Sequence, residues 1–275
     1  MNSDFSMALE RRDLGALRRC PKADLHIHGL GGGDREFIRK ATGVDIAPVE
    51  RTFRSMAEMH AFADEKLAGL FSGLAGRALA FHATFVQAHK DGVTRLEVGE
   101  DAWAITLHEG SAQAVWTMLS EAHRSGGPNI DWIPQLGISR HCPVGAVERW
   151  IEPFLELGVF ETLDLSGDEF AQPIEAFAPV YRRAKAAGLR LKAHAGEWGT
   201  ADDVWRTVEV LETGRGPARD RRQHVIAGDA CSCERRRTPE RLSDIEREAR
   251  ASRESRRTSD PRTFRRRSAG HDQHR

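Results

Sequence analysis

Cysteine and long apolar runs are both scarce in this sequence of 275 residues. The four cysteines are Cys20, Cys142, Cys231 and Cys233, and the last two form Cys-x-Cys rather than the Cys-x-x-Cys of zinc and redox motifs. We therefore expect reduced thiols and a cytoplasmic protein. The charged N-terminus, residues 1–15, lacks the apolar stretch of a signal peptide, and no segment approaches the ~20 apolar residues of a membrane span. These absences predict a soluble protein that does not partner a membrane.

Lysine and regularly spaced aliphatic residues are missing from the last part of the chain. Residues 213–275 contain 18 of the 35 arginines, no lysine and only 10 acidic residues, so this segment is near +8 whereas residues 1–212 are near −8. A composition of this kind cannot bury enough apolar surface to offset the entropy lost on ordering. We predict that residues 213–275 form a disordered, arginine-rich tail.

Between Ala23 and Glu212 predicted strands alternate with predicted helices. The strands are ADLHIH (23–28), TRLEVG (94–99), DWIPQLGIS (131–139), ETLDLSG (161–167) and LRLKAHAG (189–196). A helical pattern follows each one, which is typical of parallel βα units in an α/β fold. Eight such units close a barrel with its active site at the carboxyl ends of the strands, and five do not close it. We therefore predict an incomplete (β/α)8 TIM barrel of about five βα units over residues 21–212, preceded by an extension of residues 1–20.

Two histidines, His26 and His28, stand at the end of the first predicted strand. Alternate residues of a strand point to the same side, so both imidazoles would face the barrel mouth, where one metal ion can take two nitrogen ligands. His-x-His is weak evidence by itself, because two polar residues at a strand end are the simpler alternative. Asp24, on the same face, could orient the site from behind.

The segment LKAHAGEWG (191–199) brings a third histidine to the same predicted rim. His194 ends the fifth strand and could supply a third nitrogen, and Glu197 in the following loop could exchange a proton without binding the metal. The alternative is that both residues cap a helix that begins near Thr200. Capping would explain the glutamate but not a histidine at a strand end.

Three motifs, in this order, resemble the metal-dependent adenosine deaminase family of the amidohydrolase superfamily. They are PKADLHIHG (21–29), LDLSGDE (163–169) and KAHAGEWG (192–199). The resemblance implies a (β/α)8 barrel, one Zn²⁺ ion and hydrolytic removal of an amine from a purine ring. The implied partner is a small molecule, a purine nucleoside or a related heterocycle.

The resemblance also assigns roles by position within these motifs. His26, His28 and His194 match zinc ligands. Glu197 matches the acid that protonates a purine ring nitrogen. Gly167 matches the residue whose backbone amide meets the purine, and Asp164 matches a carboxylate that lines the same pocket.

One departure from the family pattern concerns ribose recognition. The first motif of the family carries an acidic residue two places after the second histidine, where it binds a ribose hydroxyl, but this chain has Leu30 there. Leucine cannot accept that hydrogen bond, which opens the way to another aminated heterocycle as substrate. Asp34 could reach in from the loop that contains Gly31–Gly33, although a simple turn is the alternative interpretation.

A second departure lies beyond residue 212. The family has a His-Gly on the sixth strand, whose histidine positions the attacking hydroxide, and an Asp-Asp on the eighth, whose first aspartate binds zinc. Neither is recognisable here. His224 has no following glycine and no predicted strand around it, and Asp229 and Asp260 have no matching context.

We interpret the missing motifs as a reading frame lost near Glu212. The codons ACT GGA CGA GGT CCA GCA CGG are permitted for Thr213 to Arg219. Regrouped by one base they read CTG GAC GAG GTC CAG CAC GG and encode Leu-Asp-Glu-Val-Gln-His-Gly, which restores a His-Gly about where the sixth strand should be. Sequencing the gene across this junction tests the hypothesis, and a continuous frame with other codons contradicts it.

Two other functions stay open from the sequence. A nucleic-acid-binding protein could contact phosphates through the arginine-rich tail, but the tail lacks the interleaved aromatic residues used for base stacking. The chain could also be a truncated, non-catalytic relative of the deaminases. In that case we expect the fifth strand to lack its next partner and to expose a strand edge prone to aggregation.

Overall fold

The computed structural model describes residues 3–213 and the backbone of residues 225–227, all within Met1–Gly228, the first of two compact units of the chain. The rest of the predicted tail lies outside the described residues, so its disorder stays a prediction. The same holds for His224, Asp229 and Asp260. Among the described helices, none combines the length and the apolar character that crossing a membrane requires.

A single sheet of parallel strands forms the centre of the described fold. The strands are β1 (Lys22–Asp24), β2 (Val93–Asp101), β3 (Asp131–Ser139), β4 (Thr162–Ser166), β5 (Arg190–Ala195) and β6 (Val225–Ala227). They pair in chain order, each parallel to the next. The sheet curls into part of a (β/α)8 barrel, which confirms the prediction of an incomplete TIM barrel.

Two predictions about the strands are wrong. β5 has a next partner in the structure, because Val225–Ala227 pair with Ala193–Ala195. This short strand was not predicted, since three apolar residues in an arginine-rich segment carry too little pattern. The first strand ends at Asp24, so His26 and His28 follow β1 instead of lying within it.

Two helices precede the first strand, and the others lie between successive strands. They are α1 (Ser3–Glu10), α2 (Leu14–Arg19), α3 (Arg35–Thr42), α4 (Met56–Lys66), α5 (Ala68–Phe71), α6 (Gly73–Lys90), α7 (Ala112–Gly126), α8 (Val144–Leu157), α9 (Ala178–Ala186) and α10 (Ala201–Leu211). Local sequence sets several of their ends. Gly158 adopts the left-handed conformation that ends α8, and Thr200 forms a capping box with Asp203 that begins α10.

The two faces of the sheet differ in character. Because side chains alternate along a strand, Leu163 and Leu165 of β4 point to one face, where they join an apolar core with Ile151 and Phe154 of α8. The strand residues that alternate with these apolar ones point into the barrel and are polar. There the Lys192 Nζ donates to the Gln135 Oε1 at 2.7 Å and to the Glu97 Oε1 at 3.0 Å. The polar face therefore lies beneath the carboxyl ends of the strands.

Candidate metal centre and active-site cavity

Three imidazoles meet at the carboxyl end of the sheet. The Nε2 atoms of His26 and His28 are 3.3 Å apart, those of His28 and His194 are 3.3 Å apart, and those of His194 and His26 are 3.0 Å apart. Tetrahedral zinc, with Zn–N bonds of about 2.0–2.1 Å, places its ligand nitrogens roughly 3.3 Å apart. The donor set and its spacing therefore fit one metal ion, and these are the three residues that the motifs single out as ligands.

Backbone contacts bring the first two histidines to this point although they lie outside a strand. The Asp24 carboxylate accepts a hydrogen bond from the His26 N–H at 3.1 Å, so it shapes the turn directly after β1. One residue earlier, the Leu25 carbonyl accepts a hydrogen bond from the Lys192 Nζ at 2.8 Å. This contact ties the end of β1 to β5, the strand that carries His194.

The tautomer of His194 and the protonation state of His26 suit metal binding. The Nδ1 atom of His194 lies 3.0 Å from the Leu165 carbonyl, which favours the tautomer that donates from Nδ1 and leaves the Nε2 lone pair free. Burial lowers the pKa of His26 to about 3, with Asp164 acting in the opposite direction. His26 is therefore neutral near pH 7, which is the form that ligates metals.

Asp164 lies behind the imidazoles. Its carboxylate is 3.6 Å from the His26 Nδ1 and 3.4 Å from the His194 Nδ1, and the residue is only 1% exposed. Burial acts to raise the pKa of Asp164, but the two histidines outweigh it and hold the pKa below its usual value. These contacts favour orientation of the metal ligands, so lining of the substrate pocket stays a prediction for this residue.

Replacing Asp164 with asparagine is expected to weaken zinc binding by about 10- to 100-fold, because a carboxylate behind a ligating imidazole fixes its orientation and raises its basicity. Competition with a chelating dye measures the affinity. Asp131→Asn, which removes a carboxylate from an exposed pair with Arg95, serves as the control. Equal affinities for the two variants would contradict the orienting role.

A cavity of about 670 Å³ opens beside the three imidazoles. This volume lies within the range of small-molecule sites. The apolar part of its wall consists of Met56, Met59, Trp103, Cys142 and Trp150. The polar part consists of His28, His60, Asp101, Thr106, Ser139, His141, Ser166, Gly167, His194 and Glu197. The cavity therefore combines aromatic and sulfur-containing surface with groups that can exchange protons.

Two of the remaining predicted site residues line this cavity. Gly167, with φ at +90°, sits where an added Cβ would lie 2.8 Å from the His141 Nδ1. Glu197 is exposed at the cavity. The capping alternative for Glu197 is wrong, because Thr200 and Asp203 cap α10.

Leu30 and Asp34 lie away from the cavity wall. Leu30 packs against both apolar clusters of the core. The Asp34 carboxylate caps α3 by accepting a hydrogen bond from the Phe37 N–H at 2.6 Å, and it pairs with the Lys90 Nζ at 2.7 Å. Asp34 thus supports the turn and the helix that follow the first motif. This agrees with the interpretation of Gly31–Gly33 as a simple turn.

Sequence reasoning missed several cavity residues. Asp101 ends β2, and His141 lies two residues beyond the end of β3, so the rule that strand ends form the barrel mouth could have identified both. His60 lies on α4 with its ring centroid 4.9 Å from that of His141. No motif in the sequence marks His60, because its approach depends on how α4 packs over the mouth.

The histidine cluster and the cavity lie at the carboxyl ends of the barrel strands, where enzymes with a (β/α)8 barrel place their active sites. The family model described as adenosine deaminase matches residues 21–216. This chain therefore belongs to the adenosine deaminase family.

Similar proteins agree with this membership. A protein of Treponema pallidum named as an adenosine/adenine deaminase is 31% identical over 214 residues, which cover 76% of this chain and 72% of that protein. Among solved structures, an adenine deaminase from Arthrobacter aurescens has a TM-score of 0.58 at 22% identity, over 76% of this chain and 65% of that one. A Burkholderia ambifaria amidohydrolase with bound Zn has a TM-score of 0.53 at 24% identity, over 72% of this chain and 58% of that one. The chain thus spans about three fifths to three quarters of the length of these proteins.

Proposed function

We propose that this chain carries the site of a zinc-dependent hydrolase that removes the exocyclic amine of an adenine-type purine. The observation that carries the proposal is the convergence of His26, His28 and His194 within 3.3 Å of one another beside a cavity that also contains Glu197. Three imidazoles are a common zinc donor set. The name of the Treponema relative supports the reaction, and the zinc-containing amidohydrolase supports the metal.

The three histidines would hold the metal, and Asp164 would keep their rings in place. Zinc, when bound, supplies a Lewis acid that activates water for attack on an aromatic carbon. Addition of water to the ring carbon that bears the amine would build negative charge on the neighbouring ring nitrogen, and departure of the amine as ammonia would complete the hydrolysis. Glu197, at the wall of the same cavity, donates a proton to that nitrogen. The backbone of Gly167 lies against the purine and helps to orient it.

The free base adenine is the favoured substrate. The position that would supply the ribose-binding carboxylate is occupied by Leu30, a half-buried residue that packs against the core. Nothing at that position can accept a hydrogen bond from a ribose hydroxyl. The apolar wall formed by Met56, Met59 and Trp103 suits a flat aromatic ring.

Zinc content and ultraviolet-monitored deamination test the proposal together. We expect about one zinc ion per chain after loading, and turnover of adenine exceeding that of adenosine. A chain that binds no zinc, or that loses no zinc when His26 and His28 are replaced with alanine, contradicts the proposal.

A non-catalytic, metal-binding relative is the second candidate function. The observation that favours it is that no His-Gly of the sixth strand and no Asp-Asp of the eighth is recognisable in the sequence, and β6 reads Val-Ile-Ala. In this case the three imidazoles still bind zinc, but the groups that position the attacking hydroxide are missing. Stoichiometric zinc without turnover of either purine would identify this candidate.

A further inference from the structure

A buried carboxylate outside the metal centre holds the loop that carries Glu197. Glu169 follows β4 and is 7% exposed. Its Oε2 accepts a hydrogen bond from the Gly196 N–H at 2.6 Å, and its Oε1 accepts one from the Trp198 N–H at 2.9 Å. The two amides flank Glu197 in the chain, so a single side chain fixes the backbone on both sides of this residue.

The loop is shaped around this carboxylate. Gly196 has φ at +77°, a left-handed conformation that glycine adopts without strain. A Cβ added at Gly199 would lie 3.1 Å from the Glu169 Oε2, so the backbone also approaches the carboxylate closely after Trp198. Two amide donors that converge on one anion form a charge-assisted contact, which is shorter and stronger than a neutral hydrogen bond.

The segment that carries Glu169 is itself anchored. The Arg140 guanidinium donates to the Glu169 carbonyl at 2.5 Å, and this arginine is 5% exposed. The Gln172 Nε2 donates to the Arg140 carbonyl at 2.5 Å and to the Cys142 carbonyl at 2.7 Å. The backbone of Glu169 is therefore held against the end of β3, so its side chain reaches the loop from an anchored position.

We propose that Glu169 is a positioning residue that sets the location of the Glu197 carboxyl at the cavity. The proposal rests on the function proposed above, in which Glu197 meets the purine ring. Glu169 does not line the cavity next to the imidazoles, so its effect on the substrate passes through the loop of residues 196–198.

Amide hydrogen exchange of this loop tests the contact directly, with and without zinc. In Glu169→Ala, exchange in a peptide that covers residues 194–200 is expected to accelerate by about 10- to 100-fold, as loss of a charge-assisted hydrogen bond predicts. Glu169→Gln, which keeps one acceptor oxygen, should give a smaller increase. The control is Glu175→Ala, which removes an exposed carboxylate that pairs with Arg206 of α10 at 2.6 Å. Unchanged loop exchange, or equal acceleration in β3, would overturn the proposal.

A double-mutant cycle on adenine binding separates positioning from general support of the fold. Stopped-flow fluorescence of the cavity residues Trp103 and Trp150 follows adenine binding to the zinc-loaded protein before the substrate is consumed. It should show that Glu169→Ala weakens adenine binding roughly tenfold, and that the same change has little effect in a Glu197→Gln background. An equal loss in both backgrounds would overturn the positioning role. Absence of adenine binding by the unaltered chain would contradict the proposed function, and loop exchange would then decide by itself whether Glu169 holds the loop.

Discussion

Replacing His194 with alanine is expected to lower the zinc affinity of the chain by at least about 100-fold. Loss of a hydrogen-bond partner behind a ligand already lowers metal affinity by roughly 10- to 100-fold, and loss of the ligand itself should cost more. His194 is 4% exposed and is the one member of the cluster that comes from the fifth strand. The two remaining histidines come from a single turn and leave the metal open on the side of β5. Competition with a chelating dye measures the loss.

His89→Ala is the matched control for this experiment. His89 lies in the last turn of α6 and is exposed, so its removal changes the histidine content without touching the cluster. Its zinc affinity should equal that of the unaltered chain. Retention of full affinity by His194→Ala would show that the metal is bound elsewhere.

Replacing Arg77 with alanine is expected to lower the free energy of unfolding by about 3–5 kcal/mol, because the change leaves a buried carboxylate without its partner. The Arg77 Nε donates to the Glu100 Oε2 at 2.6 Å, and the Nη2 contacts the other carboxylate oxygen. Both side chains are at most 3% exposed. The guanidinium also lies 4.6 Å from the centroid of a Trp103 ring, so its removal disturbs a wall of the cavity.

The loss in Arg77→Ala should grow as the pH rises. Burial raises the pKa of Glu100 to about 7 even with Arg77 beside it, compared with 4.5 when unfolded. Because the pKa of Glu100 is higher in the folded than in the unfolded protein, its protonation favours the folded state. This stabilisation is fully present below pH 4.5 and is lost as the pH rises through 7. Without Arg77 the pKa rises further, so the deficit should be smaller near pH 5 than near pH 8.

Urea unfolding at both pH values measures this effect. Arg95→Ala is the control, because it removes one partner of an exposed pair with Asp131 and should cost less than about 1 kcal/mol. A double variant, Arg77→Met with Glu100→Leu, should recover much of the lost stability, since it leaves no buried charge. A single-variant loss below about 1 kcal/mol would contradict the assignment of this pair as a stabilising contact.

The repeating part of the fold was predictable because periodicity reports burial. Strand β3 has the predicted bounds, since its short, mostly apolar run is typical of a strand that is buried on both faces. β1 was predicted too long, because apolar alternation continues through Ile27 while the chain has already left the sheet. A pattern of side chains does not report where backbone pairing stops.

The site was only partly predictable, for a different physical reason. The three histidines stand in motifs whose spacing relative to strand ends is visible in the sequence. Glu169 stands in one of the same motifs, yet its role depends on hydrogen bonds to backbone amides 27 and 29 residues away. Such contacts cannot be predicted from residue type, because every residue except proline has a backbone N–H that can donate.

The two parts of the histidine cluster are synthesised far apart in time. His28 and His194 are separated by 166 residues of chain. At roughly 5–20 residues per second, a ribosome needs roughly 10–30 s to travel between them. On the proposed function, a nascent chain would therefore present only a two-nitrogen, weakly binding turn during that interval, and tight zinc binding would wait until β5 has emerged and docked beside β4.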